Sequence, residues 1–172
     1  MKVRQSSRYI VFALALVAVG CAQSSTSGPS SSVRVAEAGW SFGFCMGPCR
    51  GQLALAGAQL TYEVSSRTGD QVFASNRGQL TSQGATRLEY LASGLPEELQ
   101  ETYGCPDCAD GGASFLAFVR ERESLRTEYE YGNPPAALSA IDGFLKEVMD
   151  ALGECRATAD VTPEGSCTPL PD

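Results

Sequence analysis

Apolar and polar positions alternate over several stretches, which is the signature of half-buried strands. Trp40, Phe42 and Phe44 fall on one side of an extended chain, with Ser41 and Gly43 on the other. Leu53 and Leu55, then Leu60, Tyr62 and Val64, make two alternating runs around Ala56-Gly57-Ala58-Gln59, which predicts a hairpin. A weaker short strand is predicted over Gln71 to Ser75. Ser114 to Arg120 reads SFLAFVR, apolar at nearly every position, and predicts a strand covered on both faces. Leu125, Thr127, Tyr129 and Tyr131 alternate with Arg126, Glu128 and Glu130, a half-exposed strand that forms a second hairpin through Glu123-Ser124.

Two stretches change to helical spacing. From about Ser82, Leu88, Leu91, Ala92 and Leu95 recur on one face, and Pro96 is expected to restart a short helix through Tyr103. A second helix is expected after Asn133-Pro134-Pro135, with Leu138, Ile141, Leu145, Val148, Met149 and Leu152 as its apolar stripe and Cys155 continuing it. Gly143 should weaken that helix by ~1 kcal/mol relative to alanine. The order of strands, helix, strands, helix predicts an α+β domain. Its sheet is expected to be mostly antiparallel, with about five strands, two helices on one face and disulfides for support. The domain should occupy residues 33–172, with an irregular tail from about 154 that holds three of the nine prolines.

The first 32 residues follow another pattern. Lys2, Arg4 and Arg8 precede an apolar run from Tyr9 to Val19. That run is shorter than the ~20 residues a membrane-spanning helix needs, but it has the length of a secretory signal core. It ends in Ala18-Val19-Gly20-Cys21. This stretch resembles a bacterial lipoprotein signal peptide, with Ala18 where leucine is usual. The resemblance implies cleavage between Gly20 and Cys21, a diacylglycerol on the Cys21 sulfur and an acyl chain such as palmitate on the new amine. Alanine rather than aspartate at residue 22 implies the outer membrane, with the domain facing the periplasm or the cell surface. Ala22 to Ser32 has six serines in eleven residues and no apolar face, as expected of a flexible tether. Three lipid chains would hold such a protein permanently, since each buried methylene contributes ~0.8 kcal/mol.

Composition narrows the chemistry. The chain of 172 residues has no histidine, so a Ser-His-Asp triad, a Cys-His pair and a His-ligated metal are excluded. It carries 13 Lys+Arg against 20 Asp+Glu; without residues 1–20 three basic residues go, leaving 10 against 20. That acidity speaks against nucleic acid and against adhesion to anionic lipid. The membrane is expected as a partner only through the anchor, and an envelope protein is the other candidate partner.

Seven cysteines less Cys21 leave six, at 45, 49, 105, 108, 155 and 167. Three readings stand. In an oxidising compartment the preferred one is structural disulfides. Six cysteines permit 15 pairings, and the close spacings favour Cys45–Cys49, Cys105–Cys108 and Cys155–Cys167. A second reading is thiol-disulfide exchange at Cys105-Pro106-Asp107-Cys108. Against it, a strand rather than a helix follows, and Asp107 and Asp110 would disfavour a neighbouring thiolate. A third is a metal bound by the four central thiolates, which disulfide formation opposes; no metal or other cofactor is expected. Asp107, Asp110, Gly111 and Gly112 form the sharpest polar loop and are read first as a turn and second as a site. Phe118 at the twelfth position from Asp107 lacks the carboxylate of an EF-hand. The charged row Arg120, Glu121, Arg122, Glu123, Arg126, Glu128 and Glu130 is expected to pair across adjacent strands.

The pattern Phe42-Gly43-Phe44-Cys45-x-x-x-Cys49, followed by a hairpin, helix, strand and amphipathic helix, is similar to exported bacterial lipoproteins of unknown function. No activity comes with that resemblance. With no catalytic constellation, the expected role is a lipid-anchored, non-catalytic binding or structural module. The alternatives are a thiol-disulfide enzyme using Cys105 and Cys108 or a Cys-ligated metal protein.

Overall fold

The structure is a computed structural model and describes residues 33–170. Gly20, Cys21 and the serine-rich stretch lie outside the described residues. The elements in chain order are β1 Val33–Ser41, β2 Arg50–Ala56, β3 Gln59–Ser65, β4 Val72–Leu80, α1 Ser82–Ser93, β5 Thr102–Tyr103, β6 Ala113–Arg120, β7 Glu123–Glu130, α2 Ser139–Gly153 and β8 Val161–Glu164. The strands form one sheet in the order β5-β7-β6-β1-β2-β3-β4-β8. Every neighbouring pair is antiparallel except β5 with β7.

The class is α+β as expected, but the sheet has eight strands rather than five. β5 and β8 come from segments without a strand pattern, and β1 and β4 run longer than their patterns imply. β1 begins at Val33 and is bent by a bulge between Val35 and Glu37, which breaks a strict period of two. β4 runs on to Leu80, five residues past the expected end at Ser75, because Asn76, Gly78 and Leu80 face the helices with polar residues between them. β5 replaces the expected short helix after Pro96. β8 lies in the tail expected to be irregular, pairing Val161–Glu164 with β4.

The hairpin between β2 and β3 turns at Gly57 and Ala58, with Gly57 at φ +66°. Leu53, Leu55, Leu60, Tyr62 and Val64 are buried from its inner face, together with Leu116 and Tyr129 from β6 and β7. Onto this face pack Leu88 and Ala92 of α1 and the stripe Ile141, Leu145, Val148, Met149 and Leu152 of α2. The Thr81 hydroxyl caps α1 by accepting from Gly84 N at 3.1 Å. α2 starts later than the Asn133-Pro134-Pro135 signal suggests: Leu138 stands at its N-cap, and the Asn133 side chain donates to Glu130 instead. Cys155 does not continue the buried stripe. It lies past the helix end at φ +55°, in a turn where Arg156 N donates to Ala151 O at 2.8 Å.

β6 is buried at Ser114, Leu116 and Phe118 on one face and at Phe115 alone on the other, so the expected cover on both faces is only partial. Leu116 and Phe118 are buried on the helix side. Phe115 points to the opposite, open face and is only 5% exposed, because the Arg126 guanidinium lies 3.7 Å above its ring. The charged row does not form a cross-strand ladder. Arg126 pairs with Glu128 two residues along the same strand, at 2.9 Å, and Arg120 donates to the carbonyls of Pro96 and Glu97.

Candidate functional site

The six domain cysteines lie at disulfide distance in the pairs Cys45–Cys49, Cys105–Cys108 and Cys155–Cys167, with Cα separations of 5.6, 5.4 and 5.6 Å. The first two pairs meet at one end of the sheet, where β1 ends and β2 begins. The third fastens the tail to the end of α2.

β1 ends at Ser41, three residues before the alternation suggests. Phe42 N donates to Cys49 O at 2.9 Å, and Cys49 N to Ser65 O at 2.9 Å, so the base of the Cys45–Cys49 loop is hydrogen-bonded to the sheet. Cys49 is buried. Gly47 turns the chain with φ +97°, a conformation that glycine adopts without steric cost. Phe44 therefore leaves the strand face. It is 85% exposed and Met46 is 98% exposed.

The Cys105–Cys108 loop leans on this one. The Asp107 carboxylate accepts from Gly43 N at 2.9 Å, and the Arg67 guanidinium donates to Gly43 O at 3.2 Å. Asp107 N donates to Gly112 O at 3.0 Å. Asp107, Ala109 and Asp110 all have positive φ, from 51° to 61°. Gly112, at φ +80°, packs against the Phe42 ring, where a Cβ would find no room. Cys105 N donates to the Glu130 carboxylate at 3.0 Å. The Asn133 amide and this N–H hold the Glu130 carboxyl below its usual range.

Beneath the two loops, Trp40, Phe42 and Tyr131 form a tilted aromatic cluster with centroids 4.8 to 6.4 Å apart. The Trp40 indole N–H donates to the Tyr62 hydroxyl at 3.3 Å, and Lys146 Nζ lies 5.3 Å from the Tyr131 ring. On the open face of the sheet, a cleft of about 340 Å³ runs between Arg50, Arg67, Asp107 and Phe115.

The structure thus gathers Cys45, Cys49, Cys105, Cys108, Asp107 and Gly112 at one end of the domain. Asp107 acts there as a clamp between loops. Gly111 N closes the 3-10 turn onto Cys108 O at 3.1 Å, and Asp110 is exposed. Sequence reasoning missed Tyr131 as a partner of Trp40 and Phe42, and missed Arg67 and Glu130 as supports of the loops. The shared face of Trp40 and Phe42 was visible in the alternation; Tyr131 lies 91 and 89 residues further along the chain.

The arrangement is suited to holding shape. Four sulfurs are tied in pairs, and a thiolate site would first require their reduction. Among the described residues, no group of three or more Cys, Asp or Glu side chains is arranged to hold a metal ion. No helix there is long and apolar enough to cross a membrane. No family model, curated protein or solved structure matches the chain.

Proposed function

We propose that this chain is a lipid-anchored envelope protein whose domain is a non-catalytic binding module, and that the Cys45–Cys49 loop is its contact tip. The observation that carries this reading is the exposure of Phe44 and Met46 on a loop fixed at its base. A large apolar pair held in water serves no packing purpose in the domain. Phenylalanine and methionine are enriched at the cores of protein interfaces, and a loop already ordered by a disulfide loses little entropy on docking. β1 spans roughly 25–30 Å at ~3.3 Å per residue. In this reading the partner is met at the end of β1 opposite Val33. The partner expected is an envelope protein with an apolar pocket.

The test is site-specific photo-crosslinking in the full chain. A benzophenone at residue 46 should give a discrete adduct that a benzophenone at residue 77 does not, and Phe44→Ser should abolish it. An adduct pattern identical at 46 and 77 would sink the proposal. The anchor is tested separately: Cys21→Ser should move the protein from the membrane fraction to the soluble one.

One observation favours a second reading. Cys105 and Cys108 are both exposed, so attack by an external thiolate is not blocked. As a thiol-disulfide enzyme the full chain would reduce insulin with dithiothreitol, and Cys105→Ser would abolish the activity.

A further inference from the structure

The two edges of the sheet are finished differently. β8 closes one edge with four residues that include Pro163, which has no N–H to offer a further strand. At the other edge β5 covers β7 only at Glu128 and Tyr129. Glu128 N donates to Glu101 O at 2.8 Å, so its backbone groups point away from β6. By the period of two, Arg126 and Ser124 present their N–H and C=O groups on the same side. Among the described residues no strand covers them there.

Alongside this uncovered edge lies an open groove of about 900 Å³, bounded by β7 and the segment from Glu97 to Thr102. Six glutamates line it: Glu97, Glu98, Glu101, Glu121, Glu123 and Glu128. The two arginines at its wall are already engaged, Arg126 with Glu128 and Arg120 with the carbonyls of Pro96 and Glu97. Leu99, Leu125 and Thr127 supply the less polar lining. Thr127 is 1% exposed, and its hydroxyl has no hydrogen-bond partner among the described residues.

We propose that this edge receives an extended basic segment of a partner protein as an added strand. Backbone groups of Ser124 and Arg126 supply the pairing, and the glutamates supply the charge preference. At ~3.3 Å per residue, Glu123 to Thr127 accommodates about four or five residues of the incoming chain. Its side chains alternate between two faces. One set meets Leu99 and Leu125; the other meets the glutamates. The favoured sequence therefore alternates valine or threonine with lysine or arginine. A second copy of this chain, pairing β7 with β7, would set like charges against each other, which charge disfavours. This site does not depend on the Phe44 and Met46 tip.

The probe is a fluorescein-labelled hexapeptide alternating lysine and valine, titrated with the full chain and followed by polarisation. Binding should weaken about tenfold or more between about 0.05 and 0.5 M salt. Glu98→Gln combined with Glu101→Gln should weaken it about tenfold. Ser124→Pro removes one outward N–H and should weaken it by a similar factor. Two N-methylated peptides, one for each alternate set of amides, test the strand geometry without altering the protein. At least one of them should bind about tenfold more weakly than the parent. No binding near 1 mM peptide, well above the weakest useful range, overturns the proposal. So does equal affinity for the parent and both methylated peptides, which means only diffuse attraction to an acidic surface. A dimer of the full chain in sedimentation that Ser124→Pro abolishes overturns it in favour of a second copy.

Discussion

The Asp107 carboxylate accepts a hydrogen bond from the Gly43 amide at 2.9 Å, across 64 residues of chain. Gly43 stands two residues before Cys45 and Asp107 lies inside the Cys105–Cys108 loop, so this bond couples the approach to one disulfide loop with the other loop. The space at Gly43 is already filled by the Asp107 carboxylate, and a Cβ there would collide with it. Asp107→Ala should lower stability by ~1–2 kcal/mol, from the lost bond and from alanine at positive φ. Asp107→Asn keeps an acceptor and should cost less than half as much. Hydrogen exchange at the Gly43 amide should be about tenfold faster in the alanine variant, and unchanged exchange would show that the clamp is not formed.

The buried Tyr129 hydroxyl donates to Asp142 at 2.6 Å, and Lys146 pairs with the same carboxylate at 3.0 Å. Burial first, then the bond and the charge of Asp142, push the Tyr129 pKa far above its ordinary 10.0. The folded state therefore favours the neutral phenol. Its contribution is complete below pH 10 and is lost as pH rises, because the unfolded chain ionises where the folded chain does not. The slope is ~1.4 kcal/mol per pH unit. Urea unfolding between about pH 9 and 11.5 should show this fall, and Tyr129→Phe should flatten it while costing ~1–3 kcal/mol at neutral pH. Tyr62, also raised mainly by burial, leaves part of the slope in place.

Gly143 sits inside α2 with open space where a Cβ would point. Gly143→Ala should stabilise the fold by ~0.5–1 kcal/mol, since alanine loses less backbone entropy in a helix. A melting temperature raised by a few degrees is the expected reading.

The tail is fastened twice. Cys155–Cys167 closes a loop of sequence separation 12, and the Asn76 amide donates to Leu152 O at 2.9 Å and to Thr168 O at 2.8 Å while accepting from Thr168 N at 3.0 Å. Replacing both cysteines with serine should cost ~3 kcal/mol in the chain-entropy picture. Asn76→Ala should cost ~2–3 kcal/mol. The two losses should fall short of additive, because both fastenings order the same segment. Limited proteolysis after Glu164 gives a second readout.

Gly51 faces the Trp40 indole closely enough that a Cβ would displace it. Trp40 is the only tryptophan, so its fluorescence reports on the loop end of the domain. Gly51→Ala should shift the emission to the red as the ring leaves the Phe42 and Tyr131 cluster, at a cost of ~1–3 kcal/mol. An unchanged spectrum would mean the ring is not held there.

What could be read from the sequence was local. The β2–β3 hairpin, the β6–β7 hairpin and the stripe of α2 declare themselves because each buries one face, and a buried face leaves a period of two or 3.6 in the chain. The close spacing of Cys45 with Cys49 and of Cys105 with Cys108 favoured their pairing for the same reason, since few residues separate the sulfurs. The tertiary structure decided what depends on distant partners. Thr102 and Tyr103 are too few to show a period, and become β5 only because β7 is there to pair with. Val161–Glu164 contains a proline and becomes β8 because Asn76 and a disulfide hold the tail against β4. Phe115 reads as an ordinary core residue, yet its cover is the guanidinium of Arg126 from the neighbouring strand. Phe44 reads as a strand residue and is exposed, because Cys49 is bonded back to Phe42 and Ser65. Asp107 reads as a turn residue and clamps Gly43. In each case the deciding contact joins segments whose separation leaves no periodic trace, and only the register of the sheet brings them together.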